Sequence, residues 1–192
     1  MQLTFVLDQL ASRTPGGIGR YTANLAIAMA ESAPENHLIR GNIGRFSAST
    51  ESPELQRVRD ALDIKERILP VQVSNLLWER GCPVPRIPGI VHAPSLAAPL
   101  RKATHDSYVV PTIHDTVPWT HPETMTPHGV VWHRKMLELA WKFAPAIAVP
   151  TNAVAEAVQS VFNFGDRIAV IPGASSLNLE SPQNLDWDQT RR

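Results

Sequence analysis

The sequence predicts a doubly wound α/β fold, a mostly parallel sheet with helices on both faces. Three observations point to it. Short apolar, β-branched segments alternate along the chain with longer segments of helical period. The first strand runs through a polar loop and a glycine-rich turn, Gly16-Gly17-Ile18-Gly19, into a helix. Two later strands end abruptly in histidine, at His92 and at His114, each followed by a loop carrying proline. A buried parallel strand that delivers a polar side chain at its carboxyl end has this look, and in open α/β sheets the ligand crevice lies just outside those ends.

Residues 3–7 read as the first strand and residues 8–15 as a polar loop. In the helix that follows, Ile18, Tyr21, Leu25 and Ala28 or Met29 recur at three and four residues, which marks one face. Residues 37–40 read as a short second strand and residues 42–53 as a polar, mobile loop. Residues 54–64 read as a helix with Leu55, Val58 and Leu62 on one face. Residues 68–73 read as a strand weakened by Pro70, and residues 74–79 as a helical turn with Ser74 as its N-cap. Three prolines make residues 82–89 irregular.

The strands ending in His92 and His114 come next, their histidines about 22 residues apart, as expected of neighbours lining one crevice. Residues 127–144 form the clearest helix, with Trp132, Met136, Leu139 and Phe143 as an apolar stripe for the core. Residues 146–149 read as a strand. Thr151 is placed to cap a helix over 152–162 that buries Val154, Val158 and Val161. Residues 167–171 read as a last strand, closed by Pro172-Gly173. One domain therefore covers 1–174, and the polar, aperiodic residues 175–192 read as a linker or frayed tail.

Composition narrows the function classes. A chain of 192 residues holds one domain with a substantial core. Lys plus Arg equals Asp plus Glu at 18 each, so bulk charge gives nucleic acid no handle. Cys82 is the single cysteine, which excludes an intrachain disulfide and a cysteine metal cluster. The seven histidines show no zinc-type spacing, so no metal site is expected. No signal peptide is legible at the start, and no apolar run approaches the roughly 18 residues of a spanning helix. A cytoplasmic location is the expectation; contact with the inner face of a membrane stays open, although no basic amphipathic helix demonstrates it.

Each candidate residue has two readings. His114 is either the centre of a site or a structural histidine bonded to Asp115. Gly16 and Gly17 either let a phosphate approach the amino terminus of the helix or simply make a tight turn. Their spacing is not the dinucleotide fingerprint. Arg20 either adds positive charge near that phosphate or is a solvated surface residue. His92 either touches a ligand or serves the structure.

Five segments in order resemble the amino-terminal, acceptor-side domain of family 4 glycosyltransferases of the GT-B architecture (glycosyl transferase group 1), particularly the mannosyltransferase-like members. They are Asp8 with Gly16-Gly17-Ile18-Gly19-Arg20-Tyr21; Val91-His92-Ala93-Pro94; Pro111-Thr112-Ile113-His114-Asp115-Thr116-Val117-Pro118 with His121-Pro122-Glu123; Ala146-Ile147-Ala148-Val149-Pro150-Thr151-Asn152-Ala153; and Arg167-Ile168-Ala169-Val170-Ile171-Pro172-Gly173-Ala174. Thr151-Asn152 stands where the family usually reads Ser-Glu, which puts the role of that glutamate in doubt here. The resemblance covers about residues 1–174.

The resemblance implies a Rossmann-like half of a retaining enzyme that moves a mannose-like sugar from a nucleotide-sugar to a glycan or lipid-linked acceptor. It leans to GDP-mannose as donor, without bound metal or other cofactor. It implies His114 and Asp115 at the reacting face, Gly16, Gly17 and Arg20 toward the donor phosphates, and His92 toward the acceptor. It also implies a second Rossmann-like, carboxyl-terminal domain, without which this chain lacks full activity. A reading from another class is a standalone, non-catalytic sugar- or nucleotide-binding or interaction module, whose exposed apolar face would favour a homodimer. A third is a small hydrolase or isomerase using His114 and Asp115 as an acid/base pair; no Gly-x-Ser-x-Gly elbow supports acyl chemistry.

Overall fold

Strands β1 (Gln2–Val6), β2 (Leu38–Arg45), β3 (Ile64–Pro70), β4 (Gly89–Ala93) and β5 (Ser107–Pro111) pair in parallel in the order β3-β2-β1-β4-β5. β6 (Ile147–Val149) and β7 (Ile168–Val170) form a second parallel pair, joined to the first sheet by a bridge between Thr112 and Ala148. The helices are α1 (Gly16–Ser32), α2 (Pro53–Ala61), α3 (Val71–Glu79), the short α4 (Val117–Thr120), α5 (Pro127–Phe143) and α6 (Asn152–Val161). This is the predicted α/β architecture. The computed structural model describes residues 1–46, 51–82, 84–102 and 106–174. The expected tail over 175–192 and residues 47–50 of the expected loop lie outside those residues. Among the described residues no helix is long and apolar enough to cross a membrane.

Strand alternation divides the core between the two sheet faces. In β1, Leu3 and Phe5 join Leu7, Leu10, Ile43 and Leu55 in one cluster beside α1 and α2. Val6 joins Val91, Val109, Met136, Ile147 and Val158 in the other, beside α5 and α6. Trp132 and Leu139 pack partly buried against this second cluster, as their stripe predicts. Thr126 and Thr151 cap α5 and α6 by accepting the Gly129 and Val154 N–H groups at 3.1 Å each.

Four expectations need correction. The buried face of α1 is Gly19, Thr22, Ala23 and Ala26, not the stripe of Ile18, Tyr21 and Leu25, which flanks it half-buried. Small residues let the helix lie close on the sheet, so here packing distance outranks hydrophobicity.

β2 extends to Arg45 through residues read as loop. Its polar and glycine composition hides it. A Cβ at Gly41 would stand 2.5 Å from a Leu7 methyl, and one at Gly44 would stand 2.9 Å from the Val71 nitrogen.

β3 begins at Ile64, inside the stretch read as helix, and α2 stops at Ala61. α3 therefore starts earlier, at Val71 after Pro70 in an extended conformation, and Ser74 is a buried residue inside the helix rather than its cap. Proline without a free N–H suits the residue just before a helix. Finally, residues 117–120 form α4 where a loop was expected.

Candidate functional site

The strand order reverses between β1 and β4, and both lead into loops at the same end of the sheet. That is the switch point where open α/β sheets place a crevice. The residues that arrive there follow apolar strands: Asp8 after β1, His92 and then the backbone carbonyl of Pro94 from β4, and His114 just past β5. The amino terminus of α1 faces the same place, because β1 feeds it through one 3-10 turn, Asp8–Ala11, and a short loop.

His114 is held by two contacts. Its Nε2–H donates to the Pro94 carbonyl at 2.8 Å, and its ring meets Tyr21 edge to face, centroids 5.1 Å apart at 87°. A carbonyl only accepts, so this bond commits Nε2 as donor and leaves Nδ1 as the nitrogen for a ligand. Asp115 does not supply the orienting bond. It is exposed, and its carboxylate accepts the Val117 N–H at 3.0 Å, opening α4.

Tyr21 ties this histidine to the start of α1. It stands four residues after Gly17, one turn along the same helix face. Gly16 has φ of +67°, a conformation that favours glycine, and a Cβ built on Gly16 or Gly17 meets nothing within 4 Å. No side chain caps this helix at Pro15. The two glycines thus present open backbone at a helix amino terminus, where unpaired N–H groups and the helix dipole favour an anion. Arg20, four residues after Gly16, is exposed on α1.

His92 is largely buried inside the sheet. Its ring lies edge-on to Phe5 at 5.3 Å, and its Nε2 is 3.3 Å from Thr112 Oγ1. Burial first, and then the nearby His114, lower its pKa to about 4, with a hydrogen bond to the Val110 backbone acting the other way. His92 is therefore neutral at ordinary pH. A depressed histidine contributes stability above its unfolded value, and that contribution is lost as pH falls through about 4.

The structure adds a buried charge network beside these residues. Asp8 Oδ1 accepts the Gly44 N–H at 2.9 Å, and Oδ2 pairs with Arg67 from β3. Arg67 also donates to Asn42 Oδ1 at 2.6 Å and lies over the Trp78 ring, 4.8 Å from its centroid. A small cavity of about 50 Å³ opens here, lined by Asp8, Gln9, Thr22, Asn75, Pro94 and Ser95 among others. Asn75 Oδ1 is buried without a hydrogen-bond partner among the described residues. The sequence signal for Asp8 was the one that marks His114, a polar residue directly after an apolar strand; nothing local marks Arg67, Asn42 or Asn75.

The sequence model of Glycosyltransferase Family 4 matches residues 15–174. No curated protein matches the chain in sequence. The crystal structure of HepE from Anabaena in complex with UDP-glucose shares the fold with a TM-score of 0.55 at 15% identity, over 93% of this chain and 45% of that one. HepE in complex with UDP and glucose gives a TM-score of 0.53 at 14% identity, over 93% and 46% of the two chains. The chain therefore spans less than half the length of these structures.

Proposed function

The chain belongs to glycosyltransferase family 4, and from that premise we propose that it forms the acceptor-side, amino-terminal half of a retaining glycosyltransferase, passing a mannose-like sugar from a nucleotide-sugar to a glycan or lipid-linked acceptor. The observation that carries this reading is the contact between Tyr21 and His114. It brings an anion-favouring helix terminus and a histidine with one uncommitted nitrogen to the same crevice.

In such a transfer negative charge grows on the departing diphosphate. Backbone N–H groups at Gly16 and Gly17 are suited to stabilise it, and fixed dipoles do so without reorganising. His114 Nδ1 would accept a hydrogen bond from a hydroxyl of the transferred sugar. Neutral His92 behind it adds no charge of its own to the crevice. That HepE was solved with UDP-glucose supports a nucleoside diphosphate sugar as donor class. The match to less than half of that structure supports a second domain as the opposing wall, with weak binding and no turnover in this half alone.

Isothermal titration with GDP-mannose and with UDP-glucose tests the donor side, using Gly17→Ala beside the natural chain. A methyl at Gly17 meets no neighbour, so the variant should be more stable by about 0.5 kcal/mol through its stiffer unfolded chain. It should also bind the preferred nucleotide-sugar about tenfold more weakly, because the methyl stands where the diphosphate approaches. Joining a matching carboxyl-terminal domain should restore sugar transfer. No transfer from any nucleotide-sugar by the joined protein would overturn the proposal.

A further inference from the structure

The cavity of about 50 Å³ beside Asp8 holds a residue that the fold does not account for. Asp8 and Gln9 reach the cavity from the end of β1, Thr22 from α1, Asn75 from α3, and Pro94 and Ser95 from the loop after β4. Asp8, Thr22 and Pro94 are buried and Gln9 is exposed, so Gln9 stands at the mouth. Asn75 lies in the middle of α3, and asparagine is a poor residue for a helix interior. Its Oδ1 is buried with no hydrogen-bond partner among the described residues. A buried acceptor left unpaired opposes folding, whereas leucine would fill the same place without that penalty. Ser95 shows the complementary feature. Its Oγ accepts the Ala97 N–H at 3.2 Å, and its own O–H has no acceptor among the described residues.

The wall thus offers an acceptor at Asn75 and a donor at Ser95. Thr22 adds a second acceptor, because its hydroxyl donates to the Ile18 carbonyl at 2.7 Å and keeps its lone pairs. A group that both donates and accepts answers this pattern, and a neutral hydroxyl is such a group. An anion does not suit the place: the Asp8 carboxylate is in the wall, and Arg67, engaged by Asp8 and Asn42, is not. The space holds a few water-sized groups, well short of a sugar ring. A hydroxyl carried on a methylene arm reaches one bond deeper toward the buried Oδ1 than a hydroxyl set directly on a ring. Pro94 joins this cavity to the crevice, since its carbonyl also holds the His114 ring. An arm inserted beside Pro94 therefore leaves its sugar ring at the mouth, on the side of His114.

We propose that this cavity is a subsite for the hydroxymethyl arm of a hexose in the acceptor, with Asn75 Oδ1 accepting from the arm's hydroxyl and Ser95 Oγ–H donating to it. The inference rests on the acceptor-side reading above and names the part of the acceptor that is gripped. It makes Asn75 and Ser95 the residues that select a hexose over a pentose or a 6-deoxy sugar, because a ring without the hydroxyl leaves both of them unpaired.

The test is a titration of the 192-residue chain with methyl α-D-glucopyranoside, followed by backbone amide shifts, beside methyl α-D-xylopyranoside, the same ring without the arm. The glucopyranoside should shift the amides of residues 9, 22, 75, 95 and 97 saturably, and the xylopyranoside should bind about tenfold more weakly. Asn75→Leu should weaken the glucopyranoside by about tenfold, leave the xylopyranoside response as it was, and keep or raise the midpoint of thermal unfolding. Ser95→Ala should act in the same direction by about threefold. Equal responses to the two glycosides, no saturable shift, or an unchanged response in Asn75→Leu overturns the proposal. A lowered midpoint in Asn75→Leu overturns it too, because the amide would then serve the fold. UDP-glucose moving these amides where the glycoside does not assigns the cavity to the donor and also overturns it. Sugar transfer by the joined protein is a separate readout: glycoside binding as described without transfer leaves the subsite standing and removes the enzyme reading, and transfer without such binding does the reverse.

Discussion

Arg67→Ala is expected to destabilise the fold by about 3–5 kcal/mol at neutral pH, the penalty for stranding a buried charge without its partner. The stranded charge is Asp8, whose side chain is 4% exposed, while that of Arg67 is 16% exposed. The variant also loses the donor to Asn42 and the stacking on Trp78. Burial is the largest influence on Asp8 and raises its pKa; Arg67 and the Gly44 N–H recover only part of the shift. The folded chain therefore keeps that proton to higher pH than the unfolded chain does. The contribution of Asp8 to stability is fully present below the unfolded value and is lost as pH rises through the folded one.

Without Arg67 the folded value climbs further, so the Arg67→Ala penalty should shrink as the medium is made acidic. Adding Asp8→Asn should recover part of the loss at neutral pH and flatten this dependence. Urea unfolding of the three proteins at about pH 7 and about pH 5 measures it, since loss of the Arg67 charge raises the already elevated pKa of this carboxyl group further. An equal penalty at both values would show that the ion pair is not what the substitution removes.

His114→Ala should lower sugar transfer by about 100- to 1000-fold in the protein completed by a matching carboxyl-terminal domain, the scale of one positioned polar group at a reacting centre. The loss should fall on kcat, with the KM for the nucleotide-sugar changed little, because the proposed hydrogen bond strengthens at the transferred sugar rather than on the nucleotide. Part of the effect could come from structure, since the ring also packs on Tyr21 and bonds Pro94. That part is modest: one hydrogen bond lost costs about 1 kcal/mol, which thermal unfolding of the variant will register separately. A kcat within about threefold of the natural chain, well under the effect of a positioned group, would remove His114 from the reacting face.

The elements with a strong local signature were legible in the sequence. Helices α5 and α6 could be read from apolar periodicity, with Thr151 as the cap of α6, and β4 and β5 from apolar runs leading to histidine, although β5 stops at Pro111, short of His114. The start of β2 was legible, but its continuation through residues 41–45 was not, because those residues are chosen by their neighbours. Gly41 and Gly44 are there to let Leu7 and Val71 approach, and Asn42 is there for Arg67. No propensity scale sees such reasons.

The boundary error at β3 had the same origin. Ile64 stands two residues after Leu62, off the three- and four-residue spacing of α2, and the edge position beside β2 claims it for the sheet. Likewise the candidate site was legible only as separate residues. That His114 pairs with Pro94 and Tyr21, while Asp115 turns to Val117, depends on loops whose meeting point is fixed by tertiary packing.

Among the described residues one bridge, between Thr112 and Ala148, joins the two sheets like plates meeting at a seam, and the chain is stitched across it within two residues. Thr112 N–H bonds to Ala93 on one plate, and Ile113 N–H to Ala148 on the other. His114 follows at once, its backbone leaving from the β6 side while its ring is anchored to Pro94 on the β4 side. Sliding of one plate against the other would therefore be felt as torsion about the Cα–Cβ bond of this histidine. The joint makes the angle of one imidazole a gauge of shear in the whole sheet.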